Sequence, residues 1–227
     1  MSLATLHARL VKCRRCPRLV AWREEVATVK RRAYRDEVYW GRPVPGFGDP
    51  KARLVIVGLA PGAHGANRTG RIFTGDRSGD FLYAGLHRAG FANQPTSRTR
   101  DDGLALSDCF ITCPVRCVPP DNKPSPEELR SCRPWLRDEL ALLNPRVFLA
   151  LGHVGWGACL DFLEWPKPLP KFSHGALVKH PGREVWLAAC FHVSQQNTQT
   201  GRLTEAMFDR VLQRVRSQLD LPSRRGG

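Results

Sequence analysis

Four short segments rich in β-branched and aromatic residues, at 53–58, 109–115, 147–152 and 185–190, recur along the chain, and each leads through a loop into a helical stretch. The helical stretches fall at 79–89, 126–143, 154–163 and 205–219. This alternation constrains the fold more than any other feature. Strands separated by helices return parallel to one another through right-handed crossovers, and the helices cover both faces of the resulting sheet. The expectation is an α/β chain, a three-layer α/β/α sandwich with a central four-stranded parallel sheet. Ser125 and Glu128 form a capping box with Pro126 at the first helical position, and Pro134 should kink that helix beside Cys132. A helix over 3–11, apolar at Leu3, Leu6, Leu10 and Val11, opens the chain. The basic segment RRAYRDEVYWGRPVPGFGDP reads as irregular, because its prolines and glycines exclude regular structure.

At 227 residues and 42% hydrophobic, the chain can bury a sizeable core, and no composition break divides it. One domain over 1–220 is expected, with LPSRRGG at 221–227 a disordered tail that adds only electrostatic grip. The longest apolar runs fall far short of the roughly 20 residues that cross a bilayer. The N-terminus MSLATLHARLVKCRRC carries no apolar signal core, so the expectation is a soluble cytoplasmic protein.

In parallel sheets ligands bind outside the carboxyl ends of the strands. The segments that emerge there are GLAPGAHGANRTGRIFTGD, RCVPPDNKP, GHVGWG and FHVSQQNTQTGR. Three of the four are rich in polar residues and in glycine or proline, which marks one edge of the sheet as the working edge. The first is not a nucleotide loop. Gly70 is followed by Arg71 and Ile72 where a phosphate-binding loop needs lysine then serine or threonine, and Gly58 and Gly62 lack GxGxxG spacing.

The formal net charge is +14, and 28 of the 35 basic residues are arginine. Such a balance reflects either an arginine-biased surface or a polyanionic partner, whose phosphates release counterions when neutralised. Charge alone does not choose DNA over RNA. Eight cysteines without a secretory signal argue against a disulfide framework but not against a metal. Cys13 and Cys16 form a CxxC pair, whereas Cys117 and Cys132 stand alone, with fourteen residues between them. A zinc ribbon would close its site with a second CxxC, which is missing; a four-thiolate iron-sulfur cluster tolerates irregular spacing better. Cys109, Cys113, Cys159 and Cys190 lie in apolar surroundings and read as small core residues.

Several motifs in order, VPGFGDPKARLVIVGLAPG, GRIFTGD, RCVPPDNKP and HVSQQNTQTG, resemble the uracil-DNA glycosylase superfamily, and most closely its family 5, the broad-specificity iron-sulfur branch. The resemblance runs from CRRCP to the final helix. It implies a [4Fe-4S] cluster on Cys13, Cys16, Cys117 and Cys132, DNA in double- or single-stranded form as partner, a monomer, and hydrolysis of the N-glycosidic bond of a flipped base.

The site residues follow from the same motifs. Bond cleavage builds positive charge on the sugar and negative charge on the departing base, and the flipped base needs a tight pocket with an aromatic wall. Phe73 matches the stacking ring, and its ordinary alternative is a core phenylalanine. His192 matches the histidine that approaches the base carbonyl. Asp76 is the candidate for orienting water or stabilising the sugar cation, and its alternative is a helix cap. Gly58 and Ala60 line the base site, Asn122 and Asn197 offer amides to the base or to their own turns, and Gly62, His64, Ser194 and Arg202 are assigned to DNA contact. His7, His87, His153, His174 and His180 default to structural or solvated roles.

Two departures from related branches stand out. Leu59 and Ala60 occupy places where other branches carry a carboxylate or amide to handle water. The uracil-reading asparagine after the second strand is replaced, by position, by Cys113, whose thiol cannot supply an amide's paired donor and acceptor. Discrimination should therefore be relaxed, admitting hypoxanthine and other deaminated or oxidised bases. The competing readings are a non-catalytic iron-sulfur DNA-binding or redox-sensing protein and a zinc-dependent nucleic-acid enzyme.

Overall fold

The computed structural model describes residues 1–220. The expected tail at 221–227 lies outside the described residues. In chain order the elements are α1 (Leu3–Leu10), α2 (Pro17–Val29), β1 (Phe47–Gly48), β2 (Leu54–Val57), α3 (Ala66–Thr69), α4 (Arg77–Arg88), β3 (Cys109–Thr112), α5 (Pro126–Ala141), β4 (Val147–Leu151), α6 (Gly152–Phe162), β5 (Leu177–Lys179), β6 (Trp186–Cys190), α7 (Gln195–Gln199) and α8 (Glu205–Asp220).

Every residue of β2, β3 and β4 is buried, as it must be in strands covered on both sides. Alternate residues serve opposite layers. Leu54, Ile56, Ile111, Leu149 and Ala188 pack with Leu82 and Leu86 of α4 and with Phe208, Leu212 and Val215 of α8. Their neighbours Val55, Val57, Phe110, Phe148 and Leu187 pack with Leu136 and Leu140 of α5 and with Trp156, Cys159 and Leu160 of α6. Each fully buried large apolar side chain contributes about 1.5–3 kcal/mol relative to exposure. A third cluster joins Leu6 and Leu10 of α1 to Cys132 and Trp135 of α5, which docks the N-terminal helix beside the sheet.

The four expected strands are present and mutually parallel, in the order β3-β2-β4-β6. The sheet is nevertheless six-stranded and mixed, because β1 adds antiparallel to β3 and β5 adds antiparallel to β6. Sequence pattern misses both edges for physical reasons. β1 has two residues, too few for a period, and Gly48 pairs there at φ +139° because a Cβ would lie 2.3 Å from the Cys109 carbonyl oxygen. The stretch read as wholly irregular therefore contains a strand and a 3₁₀ turn at Arg32–Tyr34. The sequence reading also lacks α2, whose buried face, Leu19, Val20, Arg23 and Val26, is interrupted by a charged residue. α5 has its full capping box and runs on through Pro134. Among the described residues no helix is long and apolar enough to cross a membrane.

Candidate active site

Phe73 sits on the loop between α3 and α4 at φ +51°, a left-handed conformation rare for a bulky side chain. The surrounding chain enforces it. Ser97 Oγ donates to the Phe73 carbonyl at 2.9 Å, and a Cβ on Gly79, at the start of α4, would fall 1.9 Å from that same oxygen. The ring is thereby turned over the carboxyl end of β2. Gly58, the residue that follows β2, has no side chain to obstruct it: a Cβ there would lie 2.9 Å from Phe73 Cζ. The ring and the glycine under it form one unit, and Phe73 is at the same time a buried member of the main core cluster, 8% exposed.

Across from this ring stands His192, just past β6, with ring centroids 6.1 Å apart. Its Nε2 is buried and has no hydrogen-bond partner. Burial alone lowers its pKa to about 4, so the imidazole is neutral at physiological pH. An unpaired buried polar nitrogen costs on the order of 1–3 kcal/mol, a cost that disappears when a hydrogen-bond partner enters. Asn197 Nδ2 donates to the His192 carbonyl at 2.8 Å, so this amide braces the histidine's backbone from α7. Gly152 opens space on the other side, since a Cβ there would lie 3.3 Å from His192 Cβ.

Asp76 caps α4: its Oδ1 accepts from Gly79 N at 3.0 Å. The cap uses one oxygen. The other, Oδ2, lies against the GLAPGAHG loop, where Gly62 and Gly65 supply the room. Desolvation raises the pKa of the carboxyl, while its hydrogen bonds from Gly79 and Ser78 and the charge of Arg68 act in the opposite direction. Arg68, which the sequence reading did not single out, is almost fully buried and fastens three segments together. Its Nε donates to the His64 carbonyl at 2.7 Å, its Nη2 to the Gly75 carbonyl at 2.8 Å, and its Nη1 to Glu37. The guanidinium also lies 4.0 Å from the Tyr34 ring centroid.

The remaining expected residues divide. His64 Nδ1 and the Tyr39 hydroxyl share a hydrogen bond at 3.0 Å, and the histidine's pKa is lowered by burial and by Arg31 and Arg68. Ala60 is half-buried on the same loop. Asn122 follows β3 on the working edge, exposed and at φ +56° within a turn. Ser194 is the half-buried N-cap residue of α7, and Arg202 is exposed with its guanidinium 4.8 Å from the Phe191 ring centroid. Cys113, which takes by position the place of the uracil-reading asparagine, is the core residue expected: it is fully buried, and its thiol donates to the Val115 carbonyl at 3.0 Å. Cys109, Cys159 and Cys190 are buried core residues as expected. His180 is buried and accepts on Nδ1 from Gly182 N at 3.0 Å, a structural role.

Cys13, Cys16, Cys117 and Cys132 line a single cavity between α1, α2, the β3–α5 loop and α5. Two buried N–H groups on that cavity's lining residues, Arg116 Nε and Trp135 Nε1, have no hydrogen-bond partner, nor does Arg23 Nε on the adjoining helix. Arg23 Nη1 donates to Cys117 Sγ at 2.9 Å. Burial, opposed by Arg23, pushes the Cys117 thiol up to about 11, and burial pushes Cys132 up to about 12. Four thiols ringed by unsatisfied donors and arginines suit an electron-rich group bound through thiolates. Among the described residues no group of three or more His, Cys, Asp or Glu is placed to hold a single metal ion.

The sequence profile of the uracil DNA glycosylase superfamily matches residues 45–216, the span that carries all four parallel strands and the loops at their carboxyl ends, and the chain belongs to that superfamily. Among known relatives it is similar to type-5 uracil-DNA glycosylases. It is 56% identical over 204 residues to that of Thermus thermophilus, covering 89% of this chain and 92% of the relative. The corresponding figures are 53% over 218 residues, 95% and 81%, for Mycobacterium bovis, and 47% over 225 residues, 95% and 97%, for Pyrobaculum aerophilum. The chain falls in the type-5 branch.

Proposed function

We propose that this protein excises uracil, hypoxanthine and other deaminated or damaged bases from DNA by hydrolysing the N-glycosidic bond of an extruded nucleotide, leaving an abasic site. Family membership gives the enzyme class, a uracil-DNA glycosylase, and with it a role in DNA repair. The finer reading rests on one observation: His192 Nε2 is buried and unpartnered, and its ring lies 6.1 Å from that of Phe73. A flipped base stacks on Phe73, and its carbonyl oxygen receives the neutral Nε2–H. As the bond breaks that oxygen gains charge, so the hydrogen bond strengthens on the way to the transition state. Asp76, at the start of α4, supplies the carboxylate. Its free oxygen stabilises the sugar cation or aligns water, while Oδ1 remains the helix cap.

The relaxed base choice is supported by Cys113, at the place of the uracil-reading asparagine, being buried with its thiol bonded to the Val115 carbonyl. DNA, duplex or single-stranded, is the partner for the +14 surface, and the protein works as a monomer in the cytoplasm. Cys13, Cys16, Cys117 and Cys132 hold a [4Fe-4S] cluster, which when bound supplies a covalent staple between the N-terminal helices and α5 and a one-electron redox centre. The rival reading, a non-catalytic iron-sulfur DNA-binding protein, leaves the orphaned His192 and the strained Phe73 without a task.

A labelled duplex or single strand carrying one uracil or one hypoxanthine, incubated with the protein and heated in alkali, tests the activity; an uncleaved strand at enzyme excess refutes it. Iron and sulfide analysis of anaerobically purified protein tests the cofactor. Stoichiometric zinc without iron refutes that part.

A further inference from the structure

Arg23 is the least expected buried group outside the base site. It lies on the inner face of α2 among Leu19, Val20 and Val26, only 2% exposed. Burying a guanidinium costs several kcal/mol unless negative charge and hydrogen bonds offset it. Its nearest carboxylate, Glu24, is 3.7 Å away and half exposed. Nη1 donates instead to Cys117 Sγ at 2.9 Å and to the Cys13 carbonyl at 3.2 Å, and Nε donates to nothing. Both contacts are with residues of the four-cysteine site. A thiolate held by a metal centre is the acceptor that makes this burial favourable.

The backbone of the same residue faces the other way. Asn67 Nδ2, fully buried on α3, donates to the Arg23 carbonyl at 3.2 Å. Asn67 N donates to the Gly62 carbonyl at 3.0 Å, and its own carbonyl accepts from Gly41 N at 3.0 Å. Gly62 and Gly65 are the glycines against which Asp76 Oδ2 rests. One buried residue therefore touches the cysteine site with its side chain and the seat of Asp76, through Asn67, with its main chain.

We propose that Arg23 is the positioning residue that ties the four-cysteine site to the base-excision loop: its guanidinium holds the Cys117 sulfur and tunes the group bound there, and its carbonyl, through Asn67, fixes the loop on which Asp76 rests. This rests on the reading of the cysteines as cluster ligands and of Asp76 as a group in the reaction. Hydrogen bonds to cluster sulfurs are among the levers that set reduction potential. A cation donating to a thiolate favours the more reduced, more negative state.

The experiment uses the anaerobically purified holoenzyme and its Arg23→Met, Arg23→Lys and Asn67→Ala variants. Iron and sulfide content, the midpoint potential from a redox titration followed by electron paramagnetic resonance, and single-turnover excision of uracil are measured for each. Arg23→Met is expected to move the potential to a more negative value and to hasten iron loss in air. Arg23→Lys, which keeps a charged donor, moves it less and covers the case in which the methionine variant does not fold. Asn67→Ala is expected to keep full iron and the wild-type potential while single-turnover excision slows about tenfold, with affinity for uracil-containing DNA retained. An unshifted potential in a folded Arg23 variant overturns the first half of the proposal, and a wild-type rate in iron-replete Asn67→Ala overturns the second. Zinc without iron in the wild type fells the cofactor reading instead, and a normal rate in Asp76→Ala fells the reading of Asp76; neither resembles the other outcomes.

Discussion

The carboxylate of Asp76 occupies the place a side chain on Gly65 would take: a Cβ there would fall 1.8 Å from Oδ2, and one on Gly62 would fall 2.9 Å from it. The two glycines and the aspartate are thus a single fitted contact between the loop after β2 and the start of α4. Gly65→Ala should drive the carboxylate out of its seat and slow single-turnover excision by about 10²-fold, the scale of a misplacement near 1 Å. Asp76→Ala should cost about 1 kcal/mol of stability through the lost cap and also slow excision of uracil and hypoxanthine alike. Thermal melting and single-turnover rates separate the two effects, and an unaltered rate in folded Asp76→Ala would leave the residue only its cap.

His192→Ala should slow excision about 10²-fold or more with little change in DNA affinity, as when one transition-state donor is removed. The pH dependence follows from burial. The histidine's pKa falls from an ordinary 6.5 to about 4 in the folded protein. The unfolded chain therefore takes up a proton here before the folded one does, and the associated stability, full above pH 6.5, is lost as pH falls toward 4. Acid titrations of unfolding should show His192→Gln less sensitive than wild type across that window.

Glu139, fully buried at the end of α5, accepts from Arg116 Nη2 at 2.6 Å, His7 Nε2 at 2.8 Å, Gly46 N at 3.1 Å and the Thr112 hydroxyl. Burial opposes its charge, yet Arg116 and the hydrogen bonds hold its pKa down at about 2. Arg116→Met would strand a buried carboxylate and should cost about 3–5 kcal/mol, read as a fall in the denaturation midpoint. The carboxylate's contribution is present above pH 4.5 and is lost as pH falls toward 2, so the wild type should lose stability over that range.

Binding to undamaged duplex should weaken steeply with salt, because arginine–phosphate contacts release counterions. Arg202 is exposed and lies over the ring of Phe191, the residue before His192 in the chain. Arg202→Ala should weaken binding to all sequences alike and lower the log–log slope by about one. Fluorescence anisotropy across a salt series measures both, and an unchanged slope would remove Arg202 from the DNA contact.

The layered α/β architecture could be read from local pattern alone. Fully apolar strand segments, a complete capping box and loops crowded at one edge are features that neighbouring residues impose on one another. The motifs likewise marked Phe73, His192 and Asp76. What the sequence could not carry was direction: which oxygen of Asp76 caps the helix and which meets the loop. Edge strands β1 and β5 escaped because pairing partners far along the chain, not their own two or three residues, make them strands. Arg23, Arg68 and Asn67 escaped for a related reason. A buried polar residue contradicts the hydrophobic period that reveals a helix, and its partners, Cys117, Gly75 and the Arg23 carbonyl, become adjacent only when the layers close. Burial gives these contacts their strength, and burial is a property of the tertiary structure alone.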